Sequence, residues 1–198
     1  MPHAGRVFLG AAAVLLVVAV PLLYSSHQQT HLRNFRVVED GVLYRSGQLS
    51  RSGFERVLRD YRIRTVITLR TSRVPGVPPP DSWEEGVCAA QPVPVRHVRI
   101  VPRVWSPDET GGVPAEEGIK DFLAVMDDPA NRPVLVHCFA GVHRTGTMCA
   151  IFRMEYHRWD VDEAMTEMAA FGYDLAEMHE HVESYLRGYR PRWKRTDR

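Results

Sequence analysis

A cysteine and an arginine separated by five residues are the most informative chemical pair in this chain. Cys138 and Arg144 lie in the run HCFAGVHRTG, which follows the short apolar segment PVLV. This spacing lets the backbone curl around one anion, with the thiol at its floor, the guanidinium at its rim and the intervening N–H groups converging. The helix expected from about Arg144 adds its positive N-terminus. The pattern therefore predicts a thiolate nucleophile in an oxyanion-binding loop, a setting for phosphoester cleavage.

The other side chains of this loop have predicted roles of their own. The planar fork of Arg144 is suited to hold two phosphate oxygens, and Gly141 lets the loop turn with its N–H facing inward. Thr145 either hydrogen-bonds the thiolate when it leaves in a second step or caps the helix. His137 is expected to position Cys138 through backbone contacts. The predicted substrate-binding residues are Phe139, Ala140, Gly141, Val142, His143 and Arg144.

Cleavage of an alkyl or aryl ester also requires a general acid, because the leaving oxygen needs a proton. Loops that follow parallel strands lie at one end of a sheet, so the loop after the strand predicted at residues 95–101 should lie beside the nucleophile. Its carboxylates are Asp108 and Glu109. We take Asp108 as the acid, with Glu109, solvent, an unassigned group or a plain turn aspartate as alternatives. Asp127 and Asp128 precede the last strand and are expected at the opposite end.

Three further side chains could contribute to the site. His143 contacts substrate or faces solvent. Arg70 and Arg73 follow another predicted strand and either line the mouth of the site or are surface charges. These alternatives stay open at the level of the sequence.

The elements that must position these residues alternate between strands and helices. Strands are predicted at residues 35–38, 42–45, 63–69, 95–101 and 134–137. Helices are predicted at residues 52–61 with Ser52 as the cap, from Asp81 or Ser82 onward, and at 115–126, 144–159, 161–171 and 175–187. Such alternation predicts an α/β fold with a mostly parallel central sheet flanked by helices.

The N-terminus is apolar and is not expected to belong to this fold. Residues 7–23 carry no charge and are dominated by Ala, Val and Leu. As a helix they would be roughly 25 Å long, just enough to cross a bilayer. A cleaved signal peptide is the alternative, but the run is longer than the usual h-region and its exit lacks a small-x-small site. The sequence favours an uncleaved single-pass membrane anchor, and its nearly balanced flanking charges predict no orientation.

The chain therefore divides into four predicted parts. Residues 1–27 form the anchor, 28–34 a linker, 35–189 the catalytic domain and 190–198 a basic tail. The tail either contacts an anionic lipid or polyanion or is a solvated terminus. A net charge of +1 gives no sign of nucleic-acid binding. Cys88 and Cys149 are expected in the core, and the cysteines show no metal-ligand spacing, so no cofactor is expected.

The loop HCFAGVHRTGT resembles the phosphate-binding loop of cysteine-dependent protein tyrosine phosphatases, in particular the compact dual-specificity group and its bacterial and atypical plant–fungal relatives. LYRSGQ, TVITLR and the WSPD run about thirty residues before the cysteine support the resemblance, which covers roughly residues 35–189. It implies a phosphocysteine intermediate on Cys138, phosphate binding by Arg144, and Asp108 as the acid and then the base for water. The implied partner is a phosphorylated protein or a small phosphomonoester.

Two departures from the family pattern bear on the function. The acid segment reads WSPD where larger relatives have WPD. Phe139, Ala140 and Val142 include no lysine, whereas relatives specialised for inositol phosphates often carry lysines there, so the loop favours phosphoproteins or other singly phosphorylated substrates. The alternatives are an inositol-phosphate or phosphoinositide phosphatase, a phosphate-binding module with weak catalysis, and related thiol chemistry such as sulfur transfer or arsenate reduction.

Overall fold

The computed structural model describes residues 15–21, 31–72, 74–101, 104–174 and 180–194. Helix α1 is described over residues 15–21, within the segment predicted as an anchor. No helix within the described ranges is long and apolar enough to cross a bilayer. The rest of the predicted anchor, residues 1–14 and 22–27, lies outside the described ranges. The anchor therefore stays a prediction.

A five-stranded sheet carries the site. Its strands are β1 (Arg36–Glu39), β2 (Leu43–Ser46), β3 (Thr65–Thr68), β4 (Arg96–Arg99) and β5 (Val134–His137). Their order is β1-β2-β5-β3-β4, with β1 antiparallel to β2 and every other pair parallel. The expectation of an α/β fold with a mostly parallel sheet is confirmed, and β5 lies in the middle with all four residues buried.

Helices cover both faces of this sheet. They are α2 (Arg51–Asp60), α3 (Trp83–Ala89), α4 (Ala115–Asp127), α5 (His143–Tyr156), α6 (Val161–Ala170) and α7 (Glu180–Gly188), with short 3₁₀ turns at Pro129–Asn131 and Arg192–Lys194. Alternate strand residues point to opposite faces. Val66 and Leu135 accordingly pack with α2 and α3, whereas Ile67 and Val136 join the larger core under α4 to α7. Cys88 and Cys149 are buried in these two cores, as expected.

The start of α2 differs from the sequence prediction. Ser50, not Ser52, is the N-cap, because its Oγ accepts the Gly53 N–H at 3.2 Å and the helix begins at Arg51. The ring of His31 lies 2.8 Å from the same Oγ, which links the chain before β1 to this cap. Ser52 lies inside the first turn. The helix therefore begins two residues earlier than a cap at Ser52 would place it.

Other elements are shorter than predicted or only partly described, among them the strands β3 (Thr65–Thr68) and β4 (Arg96–Arg99). Helix α5 ends at Tyr156 instead of residue 159. Arg158, two residues beyond this end, has a positive φ of 59°. Helix α7 is described from Glu180, and the predicted residues 175–179 lie outside the described ranges. The short helix α3 begins at Trp83 without a side-chain cap. Asp81, one of its two candidate caps, is instead buried and paired with Arg99 at 3.0 Å.

The segment assigned to a basic tail packs against the domain as far as residue 194. The Arg192 guanidinium pairs with Asp127 at 2.6 Å and with the buried Glu155 at 2.8 Å. The Trp193 indole N–H donates to the Met154 carbonyl at 2.9 Å. These contacts use the end of α4 and the C-terminal half of α5, so residues 191–194 are part of the folded unit.

Candidate active site

The predicted nucleophile lies where β5 ends and α5 begins. The chain leaves the sheet after His137, passes through a loop over residues 138–142, and enters α5 at His143. Cys138 is 5% exposed, and its Sγ accepts the Gly141 N–H at 3.3 Å. Gly141 has a φ of 76°, and a Cβ there would lie 2.4 Å from the Gly47 nitrogen. Only glycine permits this turn and this close approach.

A cavity of about 610 Å³ opens above the thiol. Its walls include the predicted site residues Cys138, Phe139, Ala140, His143 and Arg144, together with Arg70 and part of the loop after β3. Gly141 and Val142 lie on the reverse side of the loop, where they line a second cavity of about 400 Å³ with Arg45. The sequence left the role of Arg70 open, and this side chain lines the mouth of the site. Arg73 lies outside the described ranges.

The residues that open α5 are differently engaged. Arg144 lines the cavity, and its Nη1 donates to the Leu69 carbonyl at 3.0 Å, just beyond β3. The His143 ring also lines the cavity and meets Tyr173 edge to face at 5.0 Å between centroids. Thr145 is buried, and within the described residues its hydroxyl has no hydrogen-bond partner. Its predicted contact with the thiolate is therefore absent from this structure, and its role stays a prediction.

A buried carboxylate holds the histidine before the nucleophile. Glu84, on α3, is 0% exposed, and it accepts hydrogen bonds from His137 Nε2 at 3.0 Å, His97 Nε2 at 3.3 Å and Gln48 Nε2 at 2.6 Å. Burial by itself would raise the pKa of Glu84, but the hydrogen bonds from the two histidines and Gln48 outweigh it and lower the pKa to about 2. Gln48 in turn accepts from Arg70 at 2.7 Å. One chain of polar contacts thus links the rim of the cavity to its floor.

The role of Glu84 was not predicted from the sequence; the residue lies in the first turn of α3, where an acidic side chain is ordinary. A signal for its burial was present. Glu84, Val87 and Cys88 are spaced to share one helical face, and all three are buried. An acid on an apolar face needs partners.

The predicted general acid is not among the described residues that line the cavity of Cys138. Asp108 is fully exposed, and its Oδ1 accepts the Thr110 N–H at 2.8 Å, the Thr110 hydroxyl at 2.6 Å and the Gly112 N–H at 3.1 Å. The hydrogen bonds from the Thr110 hydroxyl and backbone lower the pKa of Asp108. Glu109 is exposed in the same turn. Asp108 is here a turn-forming carboxylate, so acting as an acid requires this turn to rearrange.

The rest of the acid loop rests on the C-terminal helix. Trp105 meets Tyr185 of α7 with 5.2 Å between ring centroids, and Ala115 N–H donates to the Val104 carbonyl. Asp127 is engaged by Arg192 and Tyr156 at the end of α4, before β5 begins. The assignment of Asp108 as acid stays a prediction.

Within the described ranges, one group of side chains has the spacing of a metal site. Asp81, Glu84 and His137 offer ligand atoms within 4.8 Å of one another. Each carboxylate already has protein partners, since Asp81 pairs with Arg99 at 3.0 Å and accepts from Thr68, and Glu84 accepts from His137. Both carboxylates of this donor set are thus engaged by the protein, whereas His137 Nδ1 has no hydrogen-bond partner within the described residues. We assign no metal to the group.

Comparisons with known proteins identify the family. Residues 24–184 match the family described as DSP-PTPase phosphatase fused to NAD+ kinase. The chain is 31% identical over 140 residues to the putative tyrosine-protein phosphatase OCA1 of Mycosarcoma maydis, covering 70% of this chain and 79% of the relative. It is 30% identical over 138 residues to the inositol diphosphatase DSP4 of Arabidopsis thaliana, covering 70% and 63%.

Solved structures share the fold. The core catalytic domain of the PP-IP phosphatase SIW14 from S. cerevisiae superposes with a TM-score of 0.60 at 19% identity, over 84% of this chain and 92% of that chain. TpbA of P. aeruginosa in complex with pTyr superposes with a TM-score of 0.57 at 23% identity, over 79% and 84%. With the matched family and the Cys138 loop, these likenesses lead to one conclusion: the chain belongs to the dual-specificity type of the cysteine-dependent protein tyrosine phosphatase family.

Proposed function

We propose that this chain hydrolyses phosphomonoesters through a phosphocysteine intermediate without a metal ion. One observation carries the proposal. The Cys138 sulfur lies at the floor of an open cavity, with the Gly141 N–H aimed at it and Arg144 in the wall. A thiolate surrounded by N–H donors and a guanidinium binds a phosphoryl group and is positioned to attack it.

The reaction has two displacements at phosphorus. Cys138 Sγ first forms a bond to phosphorus while the ester P–O bond breaks, and the leaving oxygen takes a proton from the general acid, for which we propose Asp108. A water molecule then attacks phosphorus, the S–P bond breaks, and the same carboxylate removes the proton of the water. Phosphate leaves and the thiolate is regenerated, with the Thr145 hydroxyl proposed as its hydrogen-bond donor. The loop N–H groups and Arg144 hold the phosphoryl oxygens throughout.

The proposed substrates are phosphotyrosine or phosphoserine/threonine proteins. The absence of lysine at Phe139, Ala140 and Val142 supports a singly phosphorylated substrate. The Phe139 ring is 56% exposed at the rim, where it offers an apolar face beside the thiol. One solved neighbour was determined with pTyr bound.

A highly phosphorylated inositol is the second candidate, and a specific observation favours it. Two guanidinium groups flank the Phe139 ring, Arg33 at 4.3 Å and Arg70 at 5.3 Å from its centroid. They supply at the rim additional positive charge, which no lysine at Phe139, Ala140 or Val142 provides. Relatives named as inositol diphosphatases add weight to this candidate.

A substrate panel separates the two candidates. The purified full chain is assayed with EDTA on phosphopeptides, phosphoinositides, inositol phosphates and inositol diphosphates. Turnover that is lost in Cys138→Ser supports the phosphatase proposal, and full activity of Cys138→Ser contradicts it. If Arg33→Gln and Arg70→Gln raise KM for the inositol compounds alone, the rim arginines recognise additional phosphates.

A phosphate-binding module with weak catalysis is the alternative from another class. The exposed, turn-bound Asp108 is the observation behind it. A kcat near background on alkyl phosphates that Asp108→Asn does not change would favour this alternative. Thiosulfate and arsenate assays test the related thiol chemistries.

We also propose that residues 1–27 anchor the chain in a membrane. The uncharged run at residues 7–23 supports this, as does the exposure of most apolar side chains of α1. Retention of the full chain in membranes after an alkaline carbonate wash is the expected result, and release by the wash would contradict it. Protease accessibility on intact cells then determines the side of the membrane.

A further inference from the structure

Apart from Gln48, the segment LYRSGQ has no role in the chemistry described so far, yet it lies directly against the loop of Cys138. Gly47 packs so close that a Cβ there would lie 2.8 Å from the Ala140 carbonyl oxygen. Gly47 N–H in turn donates to the Arg33 carbonyl at 2.7 Å, which holds the chain before β1 in the same place. The back of the phosphate-binding loop is therefore covered by residues 33–48.

Three consecutive carbonyls of the loop are each held from this side. The Phe139 carbonyl accepts the Gln48 N–H at 2.9 Å. The Ala140 carbonyl accepts the Asn34 side-chain amide at 2.8 Å. The Gly141 carbonyl accepts Arg45 Nη2 at 2.7 Å. We call these three donors the carbonyl clamp.

The clamp determines where the loop N–H groups point. In a planar trans peptide the carbonyl of one residue and the N–H of the next point in opposite directions. Holding the carbonyls of Phe139, Ala140 and Gly141 outward turns the N–H groups of Ala140, Gly141 and Val142 toward the centre of the loop. The Gly141 N–H shows the result, since it reaches the Cys138 sulfur at 3.3 Å.

Arg45 is an unusual member of the clamp because it is charged and 1% exposed. Its guanidinium lies 4.8 Å from the centroid of the Phe171 ring, and its Nε and Nη1 have no hydrogen-bond partner within the described residues. Across the described part of the chain, no carboxylate pairs with it. A buried cation without a counter-ion is costly. An anion bound on the other side of the Gly141–Val142 peptide would offset part of that cost.

We propose that Arg45 and Asn34 are positioning residues for the reaction, which orient the loop amides toward a bound oxyanion through the carbonyl clamp. The inference rests on the proposed phosphatase function only in taking a phosphoryl group as the natural ligand. Since it concerns anion binding before any turnover, it is testable in a chain that cannot react.

The test measures tungstate binding to full-length Cys138→Ser by calorimetry, alone and combined with Arg45→Met or Asn34→Gly. Loss of a hydrogen bond from a charged group predicts affinity at least about tenfold weaker for Arg45→Met. Loss of a neutral hydrogen bond predicts about fivefold for Asn34→Gly. Asn34 is exposed and has a φ of 49°, so glycine keeps its backbone and this variant still decides the question if Arg45→Met does not fold.

Arg36→Met is the matched control. Arg36 is the cross-strand partner of Arg45 and lines the same rear cavity, but it donates to the Phe35 carbonyl instead of the loop. We expect Arg36→Met in the Cys138→Ser chain to bind tungstate within about twofold of the affinity of Cys138→Ser alone, although this substitution removes one positive charge just as Arg45→Met does. If Arg36→Met weakened tungstate binding as much as Arg45→Met, the loss of affinity would be explained by long-range electrostatics alone, and the proposal would be overturned.

Two further readouts separate positioning from stability. In amide spectra, tungstate should shift the Gly141 and Val142 N–H signals of the parent but leave the Val142 signal unmoved in Arg45→Met. With Cys138 restored, the clamp variants should lower kcat as well as raise KM for an aryl phosphate. Clamp variants that bind tungstate like the parent would refute the inference even if the enzyme is active. A chain that binds tungstate through the clamp yet turns nothing over would instead refute the proposed function.

Discussion

Asp108 must leave Thr110 and Gly112 before it can protonate a leaving group beside Cys138, because the three hydrogen bonds that its carboxylate accepts within the described residues all close its own turn. We expect Asp108→Asn to lower kcat on an alkyl phosphate by at least about 100-fold, the lower end of the usual contribution of general acid catalysis. The loss should be much smaller on a nitrophenyl phosphate, whose leaving group needs no proton. Steady-state kinetics on the two substrates measures the difference.

Glu109→Gln is the control for this substitution, since Glu109 is exposed in the same turn. It should leave kcat on the alkyl phosphate nearly unchanged. A larger loss in Glu109→Gln than in Asp108→Asn would transfer the acid role to Glu109.

Glu84 makes stability depend on acid pH. The pKa of its carboxyl falls from 4.5 to about 2 in the folded protein. A lowered folded-state pKa stabilises the fold above the unfolded-state value and loses that effect as pH falls toward the folded-state value. From pH 5 to pH 3 the free energy of unfolding should therefore drop by about 2 kcal/mol through this group alone. Glu84→Gln should lack this component.

Urea unfolding at the two pH values measures the effect as a difference between wild type and variant. Glu85→Gln is matched to it, because Glu85 lies on the same turn with its side chain 62% exposed. Its pH dependence should follow wild type. Equal slopes for wild type and Glu84→Gln would contradict the role given to the buried carboxylate.

The residues of the site differ in how well they could be predicted from the sequence. Cys138 and Arg144 could be found because their chemistry and spacing lie within one short run. Arg45 could not, since an arginine in a short hairpin strand is ordinarily exposed and only the register beside β5 buries it. The contacts of Asp108 could not be predicted either, because nothing in the run WSPDETGG distinguishes a general acid from an aspartate that only closes a turn.

At the scale of elements, the cap of α2 gives a direct test. Ser50→Ala removes the acceptor for the Gly53 N–H and the partner of His31, and should cost about 1 kcal/mol. For a chain of this size, thermal unfolding should move down by roughly 2–4 °C. Ser52→Ala, at the residue that the sequence pattern favoured as the cap, should shift the melting temperature by much less. The reverse order of the two shifts would restore Ser52 as the cap.

The elements themselves were predictable where local signals agreed. Strand β5 has the predicted bounds, because the apolar run begins right after Pro133 and ends at His137, before the loop that turns at Gly141. Helix α4 begins one residue after Pro114, where a proline suits the first turn. The cap of α2 was displaced because three serines and an arginine crowd residues 46–52, and the choice among them depends on His31, far earlier in the chain.

At the scale of the whole molecule, the C-terminal segment links α4 to α5. Removing residues 191–198 takes Arg192 away from Glu155, a side chain that is almost fully buried, and from Asp127. A buried carboxylate that loses its cation is strongly destabilising, and we expect a loss of about 2 kcal/mol, or roughly 4–8 °C in Tm. Removing residues 195–198 alone should change Tm little. Calorimetry on both truncations decides, and identical melting temperatures would make the contacts of Arg192 energetically neutral.

Strand β5 lies between β2 and β3 and is paired on both sides, from the Val134 N–H bonded to Val42 to the His137 carbonyl bonded to Leu69. Amide protons in such a strand exchange with solvent only when the whole domain opens. The strand that precedes Cys138 therefore opens only when the whole domain unfolds. The exposed turn around Asp108 is held only by its own local hydrogen bonds, so we expect it to open and close many times between such unfolding events. Heat or denaturant should therefore abolish anion binding and folded structure in a single transition. Mutations in the turn of Asp108 should change the rate of catalysis without changing the stability of the strand and loop that hold Cys138.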